Sequence, residues 1–148
     1  MSSFDFVCEI EIATPPAQLH AFLCDLHNYV PLHPFIESIE EIPSLEDMPG
    51  ARRYRVVDKI PVGPFKMRTV YTAALEPVSE LEVRGHAWQS PGIRLVTSYL
   101  LEEVVSGTRL VERVTVSAPR LLRGYVIRKA RKSHEETLAK MKVLLEKP

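Results

Sequence analysis

From Phe35 to Ser117 the chain is cut by prolines and glycines into runs whose apolar and polar residues alternate. The runs are 35–43, 51–60, 65–76, 80–88, 93–104 and 107–117. Pro43, Pro49-Gly50, Pro61, Gly63-Pro64, Pro77, Pro91-Gly92 and Gly107 are expected to fall between them. Period two marks strands with one buried face, and punctuation between strands sits where missing donors and unusual dihedrals do no harm. Six strands in tandem with short connections predict an antiparallel meander.

Ahead of the meander, Phe4 to Ala13 also alternates. Phe4, Phe6, Cys8, Ile10 and Ile12 share one face, and Asp5, Glu9 and Glu11 the other. Thr14-Pro15-Pro16 suits a helix start, because Thr caps and Pro at the first helical position loses no needed hydrogen bond. Leu19, Phe22, Leu23 and Leu26 then recur at helical spacing, predicting a short amphipathic helix over 15–27. Asn28 to Pro34 allows only a second short helical turn. After the meander, Ser117-Ala-Pro119 opens a long helix of up to 119–147, with a stripe of Val126, Ile127, Ala130, His134, Leu138, Met141, Leu144 and Leu145.

The fold class is therefore α+β, a curved seven-stranded antiparallel sheet covered by one long C-terminal helix, with two short helices after the first strand. Large sheets twist and curl, and a helix only about 10 Å wide does not fill the hollow side. This geometry tends to leave an internal cavity. The length of 148 residues fits a single domain over 1–148.

The formal net charge of zero conceals a division. Residues 1–50 carry nine carboxylates and no Lys or Arg, while residues 51–148 carry all 19 basic residues and 10 acids. Arg120, Arg123, Arg128, Lys129, Arg131 and Lys132 form an acid-free run at the head of the long helix. No apolar run approaches the roughly 18 residues of a membrane span. The N-terminus lacks the basic region of a secretory signal, and Cys8 and Cys24 are too few for a disulfide scaffold. A cytoplasmic protein with reduced thiols is the expectation.

Two local features carry a resemblance. One is Ala13-Thr-Pro-Pro-Ala-Gln-Leu-His-Ala-Phe-Leu-Cys-Asp-Leu-His-Asn-Tyr-Val-Pro after the first strand. The other is Gly107-Thr-Arg-Leu-Val-Glu-Arg-Val-Thr-Val before the last helix. With the element order, they make the chain resemble the helix-grip fold of the START/SRPBCC superfamily. That superfamily includes birch-pollen allergen-like proteins, polyketide cyclases and lipid-transfer domains. The resemblance implies a groove between sheet and long helix that takes a hydrophobic small molecule or lipid, with no cofactor.

If the bulky alternates point inward, the concave wall comprises Tyr54, Val56 and Asp58; Met67, Thr69 and Tyr71; Val83; Leu95, Thr97 and Tyr99; Glu112 and Val114. Ile127, Ala130, His134 and Thr137 form the lid, since small or polar residues suit a helix roofing a space. A filled core with tyrosine hydroxyls reaching water is the competing arrangement.

Asp58 and Glu112 are the odd members of this wall, because a buried carboxylate is costly unless paired. Beside Tyr71, Tyr99 or His134 either makes an acid/base pair, as a polyketide cyclase or dehydrase needs. The alternative is structural, with Asp58 in a surface ion pair and Glu112 facing Arg84 or Arg113. His20, His27 and His33 have no metal-ligand spacing and read as surface or capping residues, so no metal is expected. His86 and Trp88 share one strand face, directed outward or at the pocket mouth. No nucleophile elbow, phosphate loop or Cys-x-x-Cys pair occurs. Cys8 reads as a core thiol.

On a helical wheel Arg120, Arg128, Lys129, Arg131 and Lys132 point away from the apolar stripe, while Arg123 stands near the pocket mouth. They suit contact with an anionic membrane or a ribosome, or balance the acidic first third. Only Tyr125 interleaves them, which argues against sequence-specific nucleic-acid binding. A monomer and a homodimer are both compatible with the sequence.

Overall fold

A computed structural model describes residues 2–147. The elements are β1 (Ser2–Ile12), α1 (Pro16–Leu23), a 3₁₀ helix (Leu26–Leu32), β2 (Ile36–Ile42), β3 (Arg52–Val62), β4 (Phe65–Ser79), β5 (Glu82–Gln89), β6 (Ile93–Val104), β7 (Gly107–Ala118) and α2 (Arg123–Leu145). All seven strands form one antiparallel sheet in the order β1-β7-β6-β5-β4-β3-β2. The meander runs from β2 to β7, and β1 closes on β7 from Ser2↔Ala118 to Ile12↔Thr108.

Four boundaries differ from the sequence expectation, each for a local reason. The first helix stops at Leu23 rather than 27, because the Asp25 side chain accepts from the His27 N–H and starts a separate 3₁₀ turn. The long helix begins at Arg123 rather than 119; Pro119 to Leu122 is a turn closed by Leu122 N–H donating to Pro119 O at 2.9 Å. Pro61 lies inside β3 rather than between strands, past the last β2 rung at Ile36↔Asp58, where one side of the strand is an open edge. Pro77 lies inside β4 beside the irregularity between Pro77 and Ser79, another place that spares a donor.

Gly107 makes the turn into β7. Its φ is +142°, and a Cβ there would stand 2.4 Å from Ile12 O and 2.7 Å from Thr14 N. Only glycine permits β1 and the following Thr14 to close against the start of β7. The Thr108 hydroxyl, fully buried, then donates to Thr14 O at 2.7 Å and locks the join.

Helix α2 packs along β1 and β7 and against the 3₁₀ helix, while α1 packs against β5, β6 and β7. Together they cover one face of the sheet. Leu19, Leu23, Tyr29 and Leu32 meet Tyr54, Val83, Leu110, Leu138 and Met141 in the core beneath them. Burying side chains of this size contributes roughly 1.5–3 kcal/mol each before entropy is subtracted.

The sheet is not evenly supported. A single row crosses it through Ser117, Arg94, Trp88, Thr72 and Arg55. Beyond that row β5 and β6 turn back at once. After Val56↔Tyr71, β3 and β4 instead continue through six more rungs, from Val57↔Val70 to Val62↔Phe65. At about 3.3 Å per residue, this two-stranded arm runs on for roughly 15 Å without a neighbour on the β5 side.

Candidate functional site

Cross-strand pairing puts Tyr54, Val56, Asp58, Met67, Thr69, Tyr71, Val83, Leu95, Thr97, Tyr99, Glu112 and Val114 on one face. The connecting rungs include Val56↔Tyr71, Asp58↔Thr69, Val83↔Tyr99, Thr97↔Val114 and Tyr99↔Glu112. It is the face that α2 covers, since His134 of α2 reaches Glu112 of β7. Their depths differ. Tyr54, Val56, Val83 and Val114 are fully buried in the packed core, with Thr97 and Tyr99 nearly so. Thr69, Tyr71, Leu95 and Asp58 are half-buried, and Met67 stands 50% exposed on the arm. On α2, Ala130 is buried, while Ile127, His134 and Thr137 are half-buried.

The half-buried apolar members form a border to the packed core. Tyr71, Ile93, Leu95, Leu122 and Ile127 border the core without being enclosed by it. They lie toward the end of the sheet where α2 begins and β3–β4 run on alone. At the other end, α1, the 3₁₀ helix and the last turns of α2 seal the core.

A polar cluster forms where this border meets the sealed core. Glu112 is 2% exposed, and its Oε1 accepts a short hydrogen bond from His134 Nδ1. This bond orients the ring and assigns its Nδ1 hydrogen, leaving Nε2 as the second functional nitrogen. Phe6 holds the ring edge-on at 5.8 Å. Glu112 Oε2 is buried and has no hydrogen-bond partner among the described residues. An unpaired buried carboxylate oxygen is costly unless water or a ligand satisfies it.

Tyr99 lies directly opposite Glu112, and its hydroxyl is hydrogen-bonded to that of Tyr29, which in turn donates to Leu23 O at 3.0 Å. Gly85 makes room for the Tyr99 ring; a Cβ there would stand 3.3 Å from it. Burial first, then the neighbouring hydroxyl and the Glu112 carboxyl, push the Tyr99 phenol well up. Burial likewise raises Tyr29 and Tyr71. These phenols therefore act as neutral hydrogen-bonding groups, not as bases.

His33 stacks on Tyr29 at 6.5 Å between ring centres. Burial, then His134 and Lys140 nearby, lower it to about 4. His33 does cap the 3₁₀ helix, its backbone N–H donating to Val30 O at 3.3 Å, while its half-buried ring is also a neighbour of the cluster. His20 reaches Ser79 O at the end of β4 at 2.7 Å, and His27 contacts Asp25 beside it at 2.9 Å.

Neither carboxylate is in the structural ion pair weighed from sequence. Arg84 pairs with Glu82, Arg113 follows Glu112 on the opposite face, and Glu112 faces His134. Asp58 has no ion pair among the described residues. Its Oδ1 is buried without a partner, and burial raises its carboxyl. Asp58 sits near Tyr71 at the root of the arm, several rungs from Glu112. The structure thus gathers Glu112, His134 and Tyr99 and sets Asp58 apart with Tyr71. Tyr29 and His33, which sequence reasoning left out, complete the first group.

Cys8 lies inward opposite Glu112, and burial, then Glu112, raise its thiol. His86 and Trp88 lie on the other face of the sheet, stacked at 5.7 Å with Arg94 over the indole at 5.4 Å. Arg120, Arg128, Lys129, Arg131 and Lys132 are exposed, as is Arg123; Arg131 also lies 5.3 Å over the Phe6 ring. Among the described residues, no group of three His, Cys, Asp or Glu is placed to hold a metal, and no helix is long and apolar enough to cross a membrane.

No protein-family model and no curated protein sequence matches this chain. Solved structures do match it in fold. The di-domain aromatase/cyclase StfQ from the steffimycin biosynthetic pathway aligns over 97% of this chain and 51% of its own, at 12% identity and a TM-score of 0.77. The chain spans about half the length of that di-domain protein. The Zhui aromatase/cyclase of a Streptomyces species aligns over 94% of this chain and 93% of its own, at 13% identity and a TM-score of 0.67. Ara h 8.0201 aligns over 92% and 95%, at 18% identity and a TM-score of 0.64. A seven-stranded curved antiparallel sheet gripping a C-terminal helix, the helix-grip fold, is shared with these proteins.

Proposed function

We propose that the protein binds a hydrophobic small molecule or lipid in the groove between the sheet and α2. The apolar body lies against Tyr71, Ile93, Leu95 and Ile127. A polar end reaches the Glu112–His134 pair. The observation that carries this reading is the pair itself. A carboxyl group 2% exposed keeps one oxygen unsatisfied beside a ring whose Nε2 remains for another partner. Apolar walls with a few convergent polar groups make up the usual small-molecule site.

Native mass spectrometry of the purified protein, alone and titrated with palmitate or 1-anilinonaphthalene-8-sulfonate, tests it. Ile127→Trp should fold normally, because the groove accepts the larger ring, and should lose uptake. A protein that takes up neither probe and is strongly destabilised by Ile127→Trp has a filled groove, which refutes the reading.

The same pair supports a second reading as a cofactor-independent cyclase or dehydratase. There His134 Nε2, oriented by Glu112, would move a proton on a bound polyketone. The two aromatase/cyclase folds above make that chemistry a reasonable comparison. Discrimination is direct: His134→Gln should preserve uptake while abolishing turnover of a linear polyketone. Uptake without any turnover in the native protein leaves the binding reading alone.

A further inference from the structure

The arm of β3–β4 and the head of α2 share an end of the molecule and a composition. The row through Ser117, Arg94, Trp88, Thr72 and Arg55 fixes that end, since β7 leaves it toward the turn 119–122 and β3–β4 leave it as the arm. On the arm, Val62, Phe65 and Met67 are 52%, 75% and 50% exposed. At the head of α2, Leu121 is 99% and Tyr125 58% exposed. Large apolar side chains this exposed, grouped at one end, mark a contact surface.

Basic groups outnumber acids around them: Glu37 is paired with Lys59 at 3.4 Å, and Asp58 is half-buried at the root of the arm. No acid occurs between Asp58 and Glu76 or between Glu112 and Glu135. Lys66, Arg68, Arg120, Arg123 and Arg128 are exposed, and none is paired with a carboxylate among the described residues. The acids of the neighbouring loops lie at the opposite end, with Glu46 and Asp47 in the β2–β3 connection, Glu80 in the β4–β5 turn and Glu102 and Glu103 near the β6–β7 turn.

We propose that this end docks on an anionic lipid bilayer, with Phe65 and Leu121 entering the headgroup–acyl boundary and Lys66, Arg68, Arg120 and Arg123 among the headgroups. Charge complementarity selects an anionic partner. The apolar tips select a bilayer over a nucleic acid, because a phosphate backbone offers Leu121 and Val62 nothing to bury against. The half-buried apolar groove residues Leu122 and Ile127 lie next to this surface on α2, so docking would bring the groove mouth to the membrane. The docking does not depend on what the groove holds.

Co-sedimentation of the full chain with phosphatidylcholine vesicles, with and without phosphatidylserine, tests the inference. Binding should require phosphatidylserine and fall steeply with salt. Lys66→Glu and Arg120→Glu should each weaken it about fivefold or more. Phe65→Asp and Leu121→Asp should each weaken it about tenfold. Val105→Asp is the control, since Val105 is fully exposed in the β6–β7 turn at the opposite end, and it should bind as the native protein does. Three results would overturn the proposal. One is no partition onto phosphatidylserine vesicles at low salt. The second is equal loss in the Val105→Asp control. The third is binding to single-stranded RNA that ignores Phe65→Asp while vesicles are left unbound. Palmitate uptake by the Phe65→Asp protein, measured in parallel, separates failure of docking from failure of the groove.

Discussion

Removing the two partners of the Glu112–His134 pair should have unequal effects, because their exposures are unequal. Glu112 is 2% exposed and His134 18%. His134→Leu leaves a buried carboxyl with both oxygens unpartnered, which costs about 3 kcal/mol. For a chain of this length that is a fall in Tm of about 10 °C. Glu112→Leu leaves an imidazole whose edge still reaches water, so the loss is about 1 kcal/mol. The double variant replaces both by apolar groups and should lie within about 1 kcal/mol of the native protein, giving a coupling of about 3–4 kcal/mol. Urea unfolding followed by the fluorescence of Trp88, the one tryptophan, measures all four corners of the cycle. If His134→Leu costs less than about 1 kcal/mol, Glu112 does not depend on the ring and the site is wrongly built. A near-neutral double variant that no longer takes up ligand would show that the pair serves the groove rather than the fold.

Two other outcomes follow from local geometry. Gly107→Ala should destabilise the protein by about 3 kcal/mol in calorimetry, because its Cβ would meet Ile12 O at 2.4 Å in a backbone conformation that alanine avoids. His33 stays neutral in the fold down to about 4 but takes a proton near 6.5 when unfolded. The unfolded state then binds more protons in that window. Stability is full above pH 6.5 and should decline by about 2 kcal/mol toward pH 4, a figure reduced for the solvent reaching this half-buried ring. Urea titrations across the window check it, and His33→Gln should remove most of the decline.

Strand faces were readable because period two leaves one choice per strand, and the large alternates Tyr54, Val56, Tyr71 and Tyr99 made it. The same alternation put Glu112 inward but left Tyr71, Tyr99, His134, Arg84 and Arg113 all open as its partner. His134 was visible on the apolar stripe of the helix, but a stripe does not say which rung of which strand it meets. Tyr29 and His33 were hidden differently. They lie in a proline-broken 3₁₀ segment with no period, and only tertiary packing turns their rings toward Tyr99. The arm was illegible because its strands alternate like the others; what distinguishes it is the shortness of β5 and β6 beside it.

The closing of β1 on β7 has a consequence for how the chain comes to be folded. Ser2 pairs with Ala118 and Ile12 with Thr108, so among the described residues β1 has only β7, about a hundred residues later, as its neighbour in the sheet. During synthesis it must wait, extended and unpaired, until β7 has emerged, and contacts so distant in sequence form slowly. Through that interval Phe6, Cys8, Ile10 and Ile12 present an apolar stripe ready to pair with any other strand. Asp5, Glu9 and Glu11 alternate with them. Two nascent copies brought together along this segment set carboxylates against carboxylates, so the acidic side of β1 guards it until its partner arrives.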